Sequence, residues 1–185
     1  MIGQDIQKAA DLLKKGDLVA IPTETVYGLA ANALDTAAVA RIFEAKGRPS
    51  FDPLIIHTDR IEKIKPFVKS IPEKLQVLID AFSPGPLTIL LEKEATIPDL
   101  VTAGLPTVAV RIPAHPMSKK LLESLDFPLA APSANPFGYI SPTRAKHVED
   151  QLGDKVSYIL DGGNCDFGVE STIVKLTENG SVQVL

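Results

Sequence analysis

A lysine and an arginine stand two positions apart in the stretch EAKGRPSFDP, at the end of a predicted helix over residues 35–46. That helix carries an apolar stripe at helical spacing, formed by Val39, Ile42 and Phe43. The next position on the stripe is Lys46, Gly47 is expected to end the helix, and Arg48 follows directly. No neighbouring residue is an obvious counter-ion, so two cations on one rigid loop favour a phosphate-sized anion site. The alternative is that the Lys46 stem covers apolar surface while its ammonium reaches water.

The segment LVAIPTETVYGLAANA begins as a buried strand and continues into the polar residues Thr23, Glu24 and Thr25. In open α/β sheets, ligands lie in the crevice outside the carboxyl ends of the strands, so Thr23, Glu24 and Thr25 are candidate ligand residues. Threonine is also a common cap of helices and turns, and that alternative remains open.

An arginine lies on the predicted strand in PTVAVRIP. Alternation places Thr107, Ala109 and Arg111 on one face of this strand. Framed by small or polar neighbours, Arg111 could hold a carboxylate through two parallel hydrogen bonds. The alternative is an arginine on an edge strand that faces water.

The segment PLAAPSANPFGYISPT runs from a strand of small residues, ending at Ala131, into a loop with Ser133, Asn135, Gly138 and Ser141. Small side chains let a ligand approach the backbone, and hydroxyl and amide groups can orient it. Ordinary turn chemistry explains the same composition.

Several common motifs for nucleotide binding, zinc binding and hydrolysis do not occur in the sequence. It has neither a G-x-x-x-x-G-K-[ST] phosphate loop nor a G-x-G-x-x-G fingerprint. The three histidines, His57, His115 and His147, are dispersed, which argues against a protein-held zinc site. A G-x-S-x-G elbow for a hydrolytic triad is absent as well.

Length and composition narrow the class of protein. The 185 residues, 45% of them apolar, predict a single domain over residues 1–185 with no second domain. A net charge of −4 gives no global attraction to nucleic acid. The chain has no apolar run long enough to span a membrane and no signal-peptide pattern. One cysteine, Cys165, fits a reducing compartment, and we expect the protein to be cytoplasmic.

The elements that must position these residues alternate between helix and strand. Helices are predicted over 4–15, 35–46, 72–82, 116–125 and 142–152. Strands are predicted over 18–21, 54–57, 87–91, 107–112, 129–131 and 157–160. The sequence ends in two strand-like runs around Asn179 and Gly180, a hairpin signal. This order predicts an α/β fold with a mixed sheet and flanking helices, and leaves the strand order open.

Together these segments resemble the YrdC-type threonylcarbamoyl-AMP synthase family. The resemblance extends from GDLVAIPTETVYGLAANA through IFEAKGRPSFDPLIIHT, SPGPLTILL, VAVRIPAHP and APSANPFGYISPT to GVESTIV. The family's hallmark is a K-x-R pair combined with S-x-N, here Lys46, Arg48, Ser133 and Asn135.

The resemblance implies a twisted α/β fold with a large, positively lined cavity. It also implies a nucleotidyltransferase that joins L-threonine, bicarbonate or CO₂, and ATP into threonylcarbamoyl-AMP and pyrophosphate. This product supplies the modification of the adenosine beside the anticodon in some tRNAs, and a separate threonylcarbamoyl-transferase complex performs the transfer. Magnesium would arrive on the ATP phosphates, with no metal held by the protein itself.

The resemblance also assigns roles to individual residues. Those assigned to ATP are Lys46, Arg48, Asp52, Thr107, Ser133, Asn135 and Ser141, with Lys46 and Arg48 acting in catalysis. Those assigned to threonine are Thr25, His57, Arg111 and Ala131.

Two features depart from the family pattern. Asp52 stands where the family commonly has asparagine, and a carboxylate there would repel a triphosphate unless it met magnesium or pointed away. His57 and GVESTIV are closer to the branch with an additional C-terminal domain, whereas this sequence stops at Leu185. The rival hypothesis is a module of the same fold that binds tRNA or double-stranded RNA without making the adenylate.

Overall fold

Ten strands and six α-helices make up the computed structural model, which describes residues 1–185. The strands are β1 (Ile2–Gly3), β2 (Val19–Ile21), β3 (Gly28–Asn32), β4 (Ile55–His57), β5 (Leu87–Glu92), β6 (Thr107–Arg111), β7 (Leu129–Ala130), β8 (Tyr158–Leu160), β9 (Thr172–Leu176) and β10 (Val182–Val184). The helices are α1 (Ile6–Lys14), α2 (Thr36–Lys46), α3 (Glu73–Phe82), α4 (Asp99–Thr102), α5 (Pro116–Glu123) and α6 (Ala145–Leu152). None of these helices has the length and apolar character needed to cross a membrane.

The strands form one mixed sheet in the order β1-β8-β2-β3-β7-β4-β6-β5-β9-β10. Strands β4 and β6 are parallel, with His57 beside Arg111, while β7 and β5 flank them in the antiparallel sense. Strand β6 is therefore internal to the sheet, which rules out the edge-strand interpretation of Arg111. The α/β class with a mixed sheet is confirmed.

Helix α2 has the ends that the sequence predicts. The Asp35 carboxylate accepts hydrogen bonds from the backbone N–H groups of Ala37 and Ala38, which have no partner within the helix. Gly47 ends the helix with φ +61°, a left-handed conformation that favours glycine. Lys46 is therefore the last helical residue, and Arg48 lies beyond the turn.

The sheet separates two apolar clusters, and alternation along the strands assigns residues to each. Ala20 belongs to the larger cluster, with α2 and α6, whereas Val19 and Ile21 belong to a smaller one with α1 and α5. The smaller cluster draws its strand residues from β2, β3, β7 and β8 and has none from β4, β5 or β6. On that face, the sheet around β4 and β6 is available to polar side chains.

Three regular elements, β1, β3 and α4, were not predicted. Strand β3 is rich in glycine and alanine, which are poor strand formers, so its pairing with β2 and β7 is decided by tertiary context. The predicted hairpin near Asn179 is confirmed as β9–β10, with Gly180 at φ +74° in the turn.

Candidate functional site

A cavity of about 130 Å³ lies over the face of the sheet that the smaller cluster leaves free. Five of the predicted site residues line it: Thr25, His57, Arg111, Ala131 and Ser133. They come from the β2–β3 loop, β4, β6 and the segment after β7, so the fold brings four distant parts of the chain together. This volume is below the roughly 300–1,000 Å³ of pockets for drug-sized ligands and matches a small metabolite better than a whole nucleotide.

Arg111 is the buried cation of the cavity, with 5% of its surface exposed. Its Nη2 donates to Glu24 Oε1 at 2.7 Å and to Thr25 Oγ1 at 2.9 Å, and its Nε donates to the Gly85 carbonyl at 3.3 Å. A guanidinium has five N–H donors, and these bonds leave the two on Nη1 unused. The bonds from Nε and Nη2 thus hold the Arg111 guanidinium in place, and Nη1 remains available to a ligand.

His57 is buried beside Arg111 on the parallel strand. Burial, reinforced by the Arg111 charge, lowers the pKa of His57 to about 3. The imidazole is therefore neutral at physiological pH, and its Nδ1 has no hydrogen-bond partner within the chain. A neutral ring in the cavity wall suits contact with a small polar ligand.

Lys46 connects the end of α2 to the loop after β7. Its ammonium donates to the carbonyls of Ser133 and Asn135, both at 2.5 Å, and the residue is 3% exposed. The snorkelling interpretation is wrong, because the ammonium is held by protein carbonyls and does not extend into water. Burial, with a smaller effect from the Arg48 charge, lowers the pKa of Lys46 to about 8.

Arg48 has a counter-ion within the chain, contrary to the sequence-based expectation. Its Nη2 lies 3.0 Å from Asp52 Oδ2, and the guanidinium also donates to the carbonyls of Asp52 and Pro53. The sequence places Asp52 among the residues expected near ATP, and in the structure its carboxylate lies against the Arg48 guanidinium. The Arg48 side chain is 15% exposed and lies 5.9 Å from the centre of the Phe137 ring.

Asn135 and Ser141 lie beside the cavity without lining it. The Asn135 amide donates to the carbonyls of Pro136 and Tyr139, which fixes the loop, and its Oδ1 is buried without a partner. The Ser141 hydroxyl donates to Glu170, a residue that lines the cavity from the segment before β9. Ser141 is therefore one hydrogen bond away from the cavity wall, and Asn135 is joined to the wall residue Ser133 through Lys46.

Thr107 does not join the other predicted site residues. It stands at the opposite end of β6 from Arg111, four residues along the strand, or roughly 13 Å at the usual rise. It lines a separate cleft of about 210 Å³ with Ser70, Glu92 and Lys175. Alternation correctly placed Thr107 and Arg111 on one face, but a shared face does not bring the two ends of a strand together.

Four polar residues around the cavity are not among those assigned to a ligand from the sequence: Thr23, Glu24, Glu170 and Ser171. Glu24 and Thr23 lie in the polar segment that follows the first buried strand. From the sequence alone, capping of a turn explained these two residues as well as ligand binding did. Glu170 and Ser171 follow an exposed connection, and Ser171 bonds to the Thr88 hydroxyl at 2.7 Å. Only their presence in GVESTIV could have singled them out.

A larger cleft, about 310 Å³, lies elsewhere and is lined by Asp17, Arg41, Glu44 and Lys155 among others. None of the predicted site residues contributes to it. The two cations of this cleft donate hydrogen bonds to backbone carbonyls, Arg41 to that of Gly16 and Lys155 to that of Ala45. The smaller cavity therefore remains the candidate site.

Comparison with known proteins identifies the family. A family model described as Sua5_yciO_yrdC, telomere recombination, matches residues 11–185. The chain belongs to the Sua5/YciO/YrdC family. This membership agrees with the resemblance carried by the K-x-R and S-x-N motifs.

Family members of known name are close to the chain in sequence and fold. It is 53% identical over 173 residues to the threonylcarbamoyl-AMP synthase of Pyrococcus abyssi, covering 94% of this chain and 51% of that protein. The structure of P. abyssi Sua5 complexed with L-threonine superposes with a TM-score of 0.95 at 49% identity, covering all of this chain and 56% of that one. The threonylcarbamoyl-AMP synthase of Vibrio vulnificus is 34% identical, with 85% of this chain and 86% of that protein covered. The chain thus spans about half the length of the P. abyssi relative but most of the V. vulnificus one.

Proposed function

We propose that this chain is an L-threonylcarbamoyladenylate synthase, a nucleotidyltransferase. The threonine amine attacks CO₂ with loss of a proton, or bicarbonate with loss of water, to form a carbamate, and a carbamate oxygen attacks the α-phosphorus of ATP. The bond from that phosphorus to the bridging oxygen breaks, pyrophosphate departs, and threonylcarbamoyl-AMP remains.

The observation that carries the proposal is the cavity with Arg111 at its wall. It has the size of a small metabolite, a buried guanidinium with free Nη1 donors, and a neutral histidine beside it. An amino-acid carboxylate can accept a charge-assisted N–H···O bond from Nη1. The L-threonine complex of the P. abyssi protein supports the same assignment.

In this proposal, threonine occupies the cavity. Arg111 binds its carboxylate through Nη1, and the neutral ring of His57 lies beside the polar groups of the substrate. Thr25 contributes its hydroxyl, which also accepts from Arg111. Ala131 contributes backbone groups and leaves space through its small side chain.

ATP would lie beside the cavity, along the rim that carries the cations. Lys46 uses two of its three N–H donors on protein carbonyls and keeps one for a phosphate oxygen. Some N–H donors of the Arg48 guanidinium would move from Asp52 to the phosphates. Little stability is lost, because a partly exposed ion pair is weak. Ser133, Asn135 and Ser141 would orient the nucleotide. Thr107, at the far end of β6, would contact the nucleotide where ATP extends along the sheet face away from Arg111.

Catalysis in this scheme rests on positioning and on stabilising charge. Negative charge grows on phosphate oxygens during transfer, and preorganised cations stabilise it. The carbamate oxygen is already a nucleophile, so holding it near the α-phosphorus replaces a general base. Magnesium carried by ATP would offset phosphate charge, and Asp52, paired through one oxygen only, offers its other oxygen as a ligand.

The cellular setting is part of the same proposal. The product would pass to a threonylcarbamoyl-transferase complex that modifies tRNA, in the cytoplasm where ATP and tRNA occur. The rival RNA-binding module is less well supported, because the similar proteins carry the synthase name. In addition, Lys46 and Arg48 are engaged within the fold and do not form an open surface stripe.

Pyrophosphate release tests the proposal. The purified chain is mixed with ATP, magnesium and bicarbonate, with and without L-threonine. We expect release that depends on threonine and stops when bicarbonate is removed. Release at the same rate without threonine, or none when both substrates bind, would contradict an activity residing in this chain.

A further inference from the structure

Glu24 is a buried acid directly behind the cavity, with 4% of its surface exposed. Its Oε1 accepts from Arg111 Nη2 at 2.7 Å, and its Oε2 accepts from the backbone N–H of Ala114 at 3.0 Å. Ala114 follows β6 by three positions, so one carboxylate spans the arginine and the chain that leaves its strand. Glu24 does not line the cavity itself.

The two donors that face Glu24 require an acceptor at both oxygens. A carboxylate supplies two, whereas the amide of glutamine supplies one acceptor and one donor. Glutamine at this position would set an N–H group against either Arg111 or Ala114. Aspartate would keep the charge but is one methylene shorter, so it could not reach both donors.

The backbone of the same segment binds the connection that leads to the cavity residues Glu170 and Ser171. The Glu24 carbonyl accepts from the N–H groups of Asp166 and Phe167, and the Thr25 carbonyl accepts from that of Gly168. These bonds use main-chain atoms only and leave the Glu24 side chain free to act on Arg111. A side-chain substitution therefore tests the arginine contact separately from this attachment.

We propose that Glu24 is a positioning residue for amino-acid recognition: it holds Arg111 by Nη2 so that the Nη1 edge faces the substrate carboxylate. The inference rests on the proposed function and deepens it, since it names what makes the site selective for a carboxylate. Without Glu24, the guanidinium could rotate about its side-chain bonds and present its donors at other angles. Binding of the carboxylate would suffer, while ATP binding would not.

The test is calorimetric binding of L-threonine, L-threoninol and magnesium–ATP to the wild type, Glu24→Gln and Glu24→Asp. L-Threoninol lacks the carboxylate and so has no group that would pair with the Nη1 donors of Arg111. We expect both variants to bind L-threonine about tenfold or more weakly, the range for a hydrogen bond to a charged group, with less than about a twofold change for magnesium–ATP and L-threoninol. Glu123→Gln, an exposed acid on α5, is the matched control and should bind all three ligands like the wild type.

Each other result has a distinct meaning. Equal losses for L-threonine and magnesium–ATP would show a general structural role and overturn the inference. Glu24→Asp binding threonine like the wild type would show that charge alone suffices, which also overturns it. Glu24→Asp keeps a counter-ion for Arg111 and decides the matter should Glu24→Gln fail to fold. A wild type that binds no threonine would instead refute the proposed function.

Discussion

Burial sets the charge states of the two site residues Lys46 and His57. Lys46 is charged at neutral pH, but with its pKa lowered to about 8 by burial it loses its proton as the pH rises through that value. His57, whose pKa lies near 3, stays neutral across the same range. The rate should therefore fall on the alkaline side through Lys46 and show no step at the usual histidine pKa.

This pH prediction is checked by measuring kcat/KM for ATP from about pH 5.5 to 9.5, which reports essential groups of the free enzyme. We expect an alkaline decline centred near pH 8 in the wild type. In Lys46→Arg the residual activity should show no such decline, because a guanidinium stays protonated in this range. An unchanged alkaline limb in that variant would assign the decline to another group.

Arg48 is expected to act on substrate and to contribute little to stability. Its ion pair with Asp52 is partly exposed, and such pairs contribute about 0–1 kcal/mol. Arg48→Ala should therefore remove threonine-dependent pyrophosphate release and shift the melting temperature only slightly. Arg41→Ala is the matched control, since Arg41 lies on α2, the helix that precedes Arg48, pairs with Asp17 and lies outside the cavity. Normal turnover by Arg48→Ala would refute the phosphate role.

Lys46 also joins two elements, the end of α2 and the loop after β7. Lys46→Met would leave the carbonyls of Ser133 and Asn135 without their partner, at a cost of about 1–3 kcal/mol for each buried group. We expect the free energy of unfolding, measured with urea, to fall by about 2–6 kcal/mol, the sum for the two carbonyls.

The control for that measurement is Lys155→Met, because Lys155 makes one long bond, 3.2 Å, to the Ala45 carbonyl. Its free energy of unfolding should change by less than about 1 kcal/mol. Equal decreases in the free energy of unfolding of the two variants would contradict the prediction that Lys46 stabilises the contact between α2 and the loop after β7.

Helices and strands with strong local signals could be predicted from the sequence, and those fixed by context could not. Asp35 and Gly47 mark the ends of α2 because capping and left-handed geometry restrict residue choice locally. Strand β3 carries no such signal, since glycine and alanine fit many conformations. The position of β6 inside the sheet depends on pairing with distant strands, so the burial of Arg111 could not be predicted either.

At the level of the whole molecule, the cavity exists because α1 and α5 cover only part of one sheet face. Motif spacing selected the residues that converge there, but not their partners within the chain. The bonds of Glu24 to Arg111 and of Lys46 to two carbonyls join positions more than eighty residues apart. The separation of Thr107 likewise follows from the direction of β6, which a local pattern does not reveal.

The most direct test of the central claim is mass spectrometry of the product made by the wild-type chain from ATP, L-threonine and bicarbonate carrying a heavy carbon isotope. We predict threonylcarbamoyl-AMP whose mass is raised by one labelled carbon, formed together with pyrophosphate. Threonyl-AMP without the label, or pyrophosphate formed with no adenylate, would contradict the claim that this cavity joins threonine, bicarbonate and ATP.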